Sequence, residues 1–296
     1  MHFFLTILFI NWRAYFSLMN LKKLNFATPG IPLSTLPRDT INGIEQVKKL
    51  GLDAMELEFV HSVNVSKEKA PEVKKIAEKN EITLTCHASF FVNLNAKEPQ
   101  KRGASRGRII SSAKRLDECG GYSVCFHPAF YLGMEPKKVY ATVKEQMTKL
   151  MEQVNSLGLK VWIRPETTGK ATQFGSIEEL CDLSAEFDQV LPVVDFSHLH
   201  SRSAGKFNTK EEFDYVLGLI EKKCGKEAIK NMHIHLSGIN YSDKGERNHL
   251  IFKEADMNYK GVLQSLKDFN AKGVLVCESP NVEEDTLLLK KTFEKL

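Results

Sequence analysis

From Leu24 onward the chain alternates short apolar runs with longer amphipathic ones, and this alternation narrows the possible folds more than any other feature. The short runs are Leu24 to Ala27, Ala54 to Val60, Ile82 to His87, Tyr122 to His127, Lys160 to Ile163, Val190 to Asp195, Met232 to Leu236 and Gly273 to Cys277. Their length and their β-branched and aromatic content suit buried strands. Helical periodicity fills the gaps, over Asp39 to Leu50, Ala70 to Asn80, Ala104 to Cys119, Pro136 to Leu157, Ser176 to Phe187, Thr209 to Cys224, Tyr259 to Asn270 and Val282 to Leu296. Pro71 and Pro136 stand near helix starts and Gly51, Gly120 and Gly158 near helix ends, where each does least harm to the hydrogen-bond ladder. Strands alternating with helical crossovers predict a parallel sheet, and eight such units in 296 residues predict one domain, a (β/α)8 TIM barrel. An open doubly wound sheet would carry a glycine-rich phosphate turn after its first strand. TPGIPLS, Thr28 to Ser34, is not one.

Residues 1–18 stand apart from this pattern. Their apolar run, Phe3 to Ile10, is far shorter than the ~20 residues of a membrane span, and no Lys or Arg precedes it. They are expected to form an extension outside the fold, with Met19 a plausible start and residues 19–296 the barrel domain. No membrane association and no obligate protein partner are expected. The six cysteines (86, 119, 125, 181, 224 and 277) include no C-x-x-C pair. That pattern favours a reducing, cytoplasmic setting over a secreted disulfide scaffold. A net charge of +4 is too small for a nucleic-acid tail, so any DNA contact must come from a local patch.

The strands share a second property, which bears on chemistry: they end on residues that bind metals. KVWIRPETTG, Lys160 to Gly169, runs as a strand into Pro165 and then presents Glu166. His87, His127, Asp195 with His198, His235 and Glu278 end other runs in the same way. In a TIM barrel these positions converge on the C-terminal rim, where active sites lie. Any one of the histidines alone is better read as a hydrogen-bonded rim residue. Together, so many imidazoles and carboxylates would repel or desolvate one another unless cations ordered them. Mixed nitrogen and oxygen donors suit Zn²⁺ or Mn²⁺. The number of donors exceeds what one catalytic zinc takes, which points to paired ions, a central bridging carboxylate such as Glu166, and phosphodiester hydrolysis.

In these motifs the chain resembles the endonuclease IV family of apurinic/apyrimidinic (AP) endonucleases, within the xylose-isomerase-like barrels. The resemblance runs from about Ile82 to Pro280 through HASFFVNL at His87, FHPAF at Phe126, PETTG at Pro165, DFSH at Asp195, HLSG at His235 and ESP at Glu278. It implies two or three zinc ions and a substrate of double-stranded DNA with abasic or damaged sites. It places His87, His127 and Glu166 on a first ion, Glu166, Asp195, His235 and Glu278 on a second, and His198 on a third. Glu166 and Glu278 would be the catalytic carboxylates. His233 competes with His235, two residues away on the same strand face, and His235 is the preferred ligand. Phe90 and Phe91 fall where the family places side chains that enter the minor groove. For the third ion the family supplies an Asp-Arg-His segment, whereas this chain reads GERNHL, Gly245 to Leu250. Glu246 replaces the aspartate, Asn248 stands in the place of the histidine, and His249 is expected to compensate if the long polar loop Ser237 to Asn258 slips by one residue.

The alternative on the same barrel is a sugar isomerase or epimerase using one divalent metal held by Glu166, Asp195, His235 and Glu278. That reading leaves His87, His127 and His198 idle. A non-enzymatic metal-binding scaffold is the third class, and the density of ligands at one rim argues against it.

Overall fold

The computed structural model describes residues 21–296; the expected extension over residues 1–18 lies outside them. Eight parallel strands form the barrel: β1 (Leu24–Pro29), β2 (Ala54–Glu58), β3 (Thr83–His87), β4 (Ser123–Phe126), β6 (Trp162–Pro165), β8 (Val193–Asp195), β9 (Met232–Leu236) and β12 (Gly273–Cys277). They correspond to the eight apolar runs. The sheet runs in the order β6-β4-β3-β2-β1-β12-β9-β8. Two parallel bridges, Ile163 to Val190 and Glu166 to Val193, bring its edges together. Thr167 completes this seam. Its amide donates to Val193 O at 3.1 Å, and its hydroxyl donates to Asp195 O at 3.2 Å and accepts from Asp195 N at 2.8 Å.

The crossover helices are α1 (Thr40–Lys49), α2 (Ala70–Asn80), α3 (Pro99–Glu118), α4 (Pro136–Ser156), α5 (Ile177–Ser184), α7 (Lys210–Cys224), α9 (Tyr259–Asp268) and α10 (Glu283–Lys295). Ser176 and Thr209 cap α5 and α7 with reciprocal boxes to Glu179 and Glu212, which satisfies amide donors that a helix start leaves bare. Helix α3 begins earlier than its apolar periodicity suggests, because Pro99 opens a first turn made of polar residues. Two short helices have no counterpart in the helical periodicity of the sequence, α6 (Phe196–Arg202) directly after β8 and α8 (Lys226–Ile229). The small antiparallel sheet of β5 (Ala129–Phe130) with β7 (Gln173–Phe174) likewise has no counterpart among the apolar runs.

The segment Ser237 to Asn258 is not a loose loop. It folds into an antiparallel hairpin, β10 (Gly238–Ser242) with β11 (Gly245–Leu250), followed by a 3-10 turn at Phe252–Glu254. Tyr241 donates to Asp256 Oδ2 at 2.6 Å and His200 Nε2 meets Asp256 Oδ1 at 2.9 Å, so the hairpin is tied to α6. Polar composition concealed it because one face is solvated. At the opposite end of the barrel, buried Arg164 reaches Pro192 O and Asn231 O, residues that precede β8 and β9.

Candidate metal centre at the barrel mouth

The strand ends bring the expected residues together at one mouth. Three overlapping sets have donor atoms within 4.8 Å of one another: His87, His127 and Glu166; Glu166, Asp195, His235 and Glu278; and Asp195, His198 and His249. Glu166 joins the first two. Its Oε2 lies 3.3 Å from both His87 Nε2 and His127 Nε2, while its Oε1 lies 3.0 Å from His235 Nδ1 and 3.5 Å from His198 Nδ1. One carboxylate therefore offers one oxygen to each set.

Asp195 joins the second set to the third, and the local fold explains how. It caps α6, its Oδ1 accepting from His198 N at 2.8 Å. A helix turn brings the residue three positions on back beside its cap. Hence His198 Nδ1 comes to 3.1 Å from Asp195 Oδ2, and the spacing of the Asp-x-x-His motif is a capping geometry. His198 Nδ1 also donates to Thr167 O at 2.9 Å, which leaves Nε2 facing Glu246 Oε2 at 3.6 Å. His87 is set in the same manner, with Nδ1 at 2.7 Å from Ala88 O.

The site carries strong opposing fields. Burial pushes the Glu166 carboxyl up, yet the His235 and His127 imidazoles outweigh it and hold the group well below the usual carboxylate range. Glu278 goes the other way, to about 8, through burial and the nearby Glu166 and Asp195 charges, although His235 opposes the shift. For His198, burial is outweighed by Asp195 and Glu166, and its pKa rises to about 10. Glu166 Oε2, Asp195 Oδ2, Glu278 Oε2 and His249 Nε2 are buried without a hydrogen-bond partner. Orphaned oxygens and nitrogens in this number are costly unless something else binds them. Their donor set of imidazole and carboxylate fits divalent zinc or manganese.

The hairpin delivers one member of the third set, His249, through a β-bulge. Asn240 pairs with Asn248 and Tyr241 with Glu246, so Arg247 is the extra residue on β11. A bulge shifts side-chain alternation by one position. Glu246 and His249, three residues apart, are thereby both half-buried toward the mouth, whereas Arg247 and Asn248 are exposed. Asn248 turns away, its amide donating to His249 O at 3.0 Å. His249 Nε2 lies 4.0 Å from Glu278 Oε2.

Phe90 and Phe91 stand at the rim with 54% and 62% of their surfaces exposed. The Phe90 ring packs edge-on to His87 at 5.3 Å, and the Arg108 guanidinium lies 6.0 Å from the Phe91 ring. Most of the other basic side chains of the Lys101 to Arg115 segment are held locally: Lys101 by Glu98, Arg102 by Ala96 O, Arg106 by Gln146 and Arg115 by Glu118. Glu56 and Glu58 are not among the residues expected from the strand ends. On β2 Glu56 is fully buried and Glu58 half-buried, and desolvation with the Glu56 charge lifts Glu58 to about 7. Two alternating acids inside the apolar run AMELE were the available signal, since a barrel strand buried on both faces has no solvent side for them.

A family profile described as xylose isomerase-like TIM barrel matches residues 44–296. An uncharacterized protein of Methanocaldococcus jannaschii is 43% identical over 271 residues, 92% of this chain and 97% of its own length. A probable endonuclease 4 of Staphylococcus aureus is 28% identical over 160 residues, about half of either chain (51% and 51%). Among solved structures, endonuclease IV from Thermus thermophilus superposes with a TM-score of 0.67 at 19% identity, covering 90% of this chain and 98% of its own. A D-tagatose 3-epimerase-like protein superposes with a TM-score of 0.69 at 18% identity, covering 90% and 96%. At such identities the superpositions establish the fold and do not discriminate between the two chemistries.

Proposed function

The chain belongs to the xylose isomerase-like TIM barrel family, and within it we propose that this protein is a zinc-dependent endonuclease hydrolysing a phosphodiester of duplex DNA at abasic sites. The observation that carries the reading is the linkage of three donor sets through Glu166 and Asp195. A single catalytic ion takes about three protein ligands, and the surplus of donors at this mouth supports a reading with more than one ion. The likeness to probable endonuclease 4 supports the same reading. When bound, zinc ions would supply Lewis acidity and charge neutralisation to both the attacking and the leaving oxygen.

The chain's own residues then have separate tasks. Glu166 spans the first two donor sets with its two oxygens. His87 and His127 complete the first set, Asp195, His235 and Glu278 the second, and Asp195, His198 and His249 form the third, with Glu246 standing beside His198. Glu278, whose Oε2 is unpartnered at the boundary of the second and third sets, takes up the proton of the attacking water. Phe90 and Phe91, exposed beside His87, wedge into the base stack of a damaged duplex.

The test is incision of a duplex carrying one tetrahydrofuran abasic analogue, compared with the intact duplex, by zinc-loaded protein. A cut confined to the analogue and abolished by chelation is expected. Failure to cut while two or three zinc ions are bound would refute the proposal. The second reading, a sugar epimerase, draws on the completeness of the set Glu166, Asp195, His235 and Glu278 for one ion. About one metal per chain would favour it.

A further inference from the structure

Each of three imidazoles that turns one nitrogen toward the mouth has its other nitrogen engaged. For His87 and His198 that partner is a main-chain carbonyl, Ala88 O at 2.7 Å and Thr167 O at 2.9 Å. His235 differs. It presents Nδ1 to Glu166 and Glu278 and turns Nε2 down the barrel axis, where Glu56 Oε1 lies 3.1 Å away. Glu56 is fully buried. Its Oε2 accepts from the Thr85 hydroxyl at 2.7 Å and lies 3.2 Å from His233 Nε2. His233 is fixed in turn from its other side, Nδ1 meeting Ser123 Oγ at 3.0 Å.

We propose that Glu56 is a positioning residue: it draws the ring proton of His235 onto Nε2 and so leaves the Nδ1 lone pair for a divalent cation in the mouth, with His233 bracing Glu56 from below. The proposal rests on the metal-dependent reading of the mouth. A neutral imidazole carries one N–H, and an anion facing Nε2 selects the tautomer protonated there. A carboxylate partner also raises the basicity of the ligating nitrogen more than a carbonyl does. The same arrangement assigns His233, whose ring is held by Ser123 and aimed at Glu56, to support of the carboxylate. A buried anion needs several donors; the Thr85 hydroxyl donates to Glu56, and His233 Nε2 and His235 Nε2 stand 3.2 and 3.1 Å from its oxygens. Cys125 Sγ sits 4.0 Å from Glu56 Oε2 and 3.8 Å from His235 Nε2, so these side chains are also within liganding distance of one another.

The test begins with wild-type protein labelled with nitrogen-15 and loaded with zinc, using long-range proton–nitrogen correlation of the histidine rings. The proposal expects His235 with hydrogen on Nε2 and zinc on Nδ1. Zinc bound with hydrogen on Nδ1 of His235 overturns the proposal while leaving the metal reading intact. A wild type that binds no zinc overturns the metal reading, and the proposal with it. Cobalt titration of variants follows. Glu56→Gln should lower Co²⁺ affinity by roughly 10- to 100-fold and alter the visible spectrum of the bound ion. Thr85→Val, which removes only a neutral partner of the same carboxylate, should shift affinity far less. Equal losses in the two variants would mean general damage to the core and count against the proposal. A cobalt–thiolate charge-transfer band in wild type, lost in Cys125→Ser, would make the Glu56 cluster a metal site in its own right and likewise overturn it. Should Glu56→Gln fail to fold, the tautomer measured in wild type decides.

Discussion

The His249 imidazole lies with its ring centre 6.0 Å from that of His198, although the residue between His249 and the bulge is an asparagine that faces solvent. Arg247, inserted opposite the Asn240 to Tyr241 step, accounts for the placement. His249→Ala is therefore expected to lower zinc content by about one ion per chain, and Asn248→Ala to leave it unchanged. Elemental analysis of the purified variants distinguishes the two. Unchanged content in His249→Ala would reduce the centre to two ions.

Glu166→Gln should abolish incision with the barrel still folded. A neutral amide cannot balance two cations, and only one of its two polar atoms is an acceptor. The loss should exceed tenfold, more than about 1.4 kcal/mol of transition-state stabilisation. Circular dichroism checks the fold and a single-turnover assay the rate. Retention of more than a tenth of the wild-type rate would exclude a bridging role.

Phe90→Ala and Phe91→Ala should weaken binding of abasic duplex while sparing hydrolysis of a small phosphodiester. Their exposure leaves little packing to lose, and a wedge acts only where there is a stack to open. The Phe90 contact with His87 makes a useful internal comparison. If both substrates suffer equally, the pair serves to hold the histidine instead.

The pH dependence of stability should change sign with zinc. In metal-free protein Glu278 is raised to about 8 by burial and by Glu166 and Asp195. His198 is raised to about 10 because Asp195 and Glu166 outweigh burial. Groups raised on folding stabilise fully below their unfolded pKa, and that contribution is lost as pH climbs through the folded value. Between pH 7 and 9 the native state thus holds more protons than the unfolded chain, and the metal-free Tm should fall. Zinc binds the deprotonated donors, so its effect should grow over the same window. Free zinc at a hundred times its Kd would add about 2.7 kcal/mol, or roughly 5 °C and upward in Tm. Calorimetry at several pH values measures this, and a metal-free Tm that rises between pH 7 and 9 would contradict the assignment.

The barrel could be read from the sequence because each of its strands is a compact apolar run with helical periodicity on either side, and such runs have few other ways to be buried. The mouth could be read because a strand that ends on His87, Glu166 or Asp195 must present that residue at the same rim as its neighbours. The hairpin could not. Its residues Gly238 to Leu250 are largely polar, and pairing is set there by backbone and by the Tyr241 to Asp256 tie, which composition does not encode. Glu56 escaped for a different reason. Attention to residues at strand ends overlooks an acid in mid-strand, whose meaning emerges only when β9 supplies His233 and His235 across the barrel.

The seam between β6 and β8 has a mechanical meaning. Every other stave of this cask is fastened to its neighbours by a ladder of main-chain bonds, but here the two edges meet through two bridges and the hydroxyl of Thr167. Glu166 stands on one edge of the joint and Asp195 on the other. A cation gripping both would act as the hoop that closes the cask, so the joint that is weakest in the backbone is also the one that cargo at the mouth would draw tight.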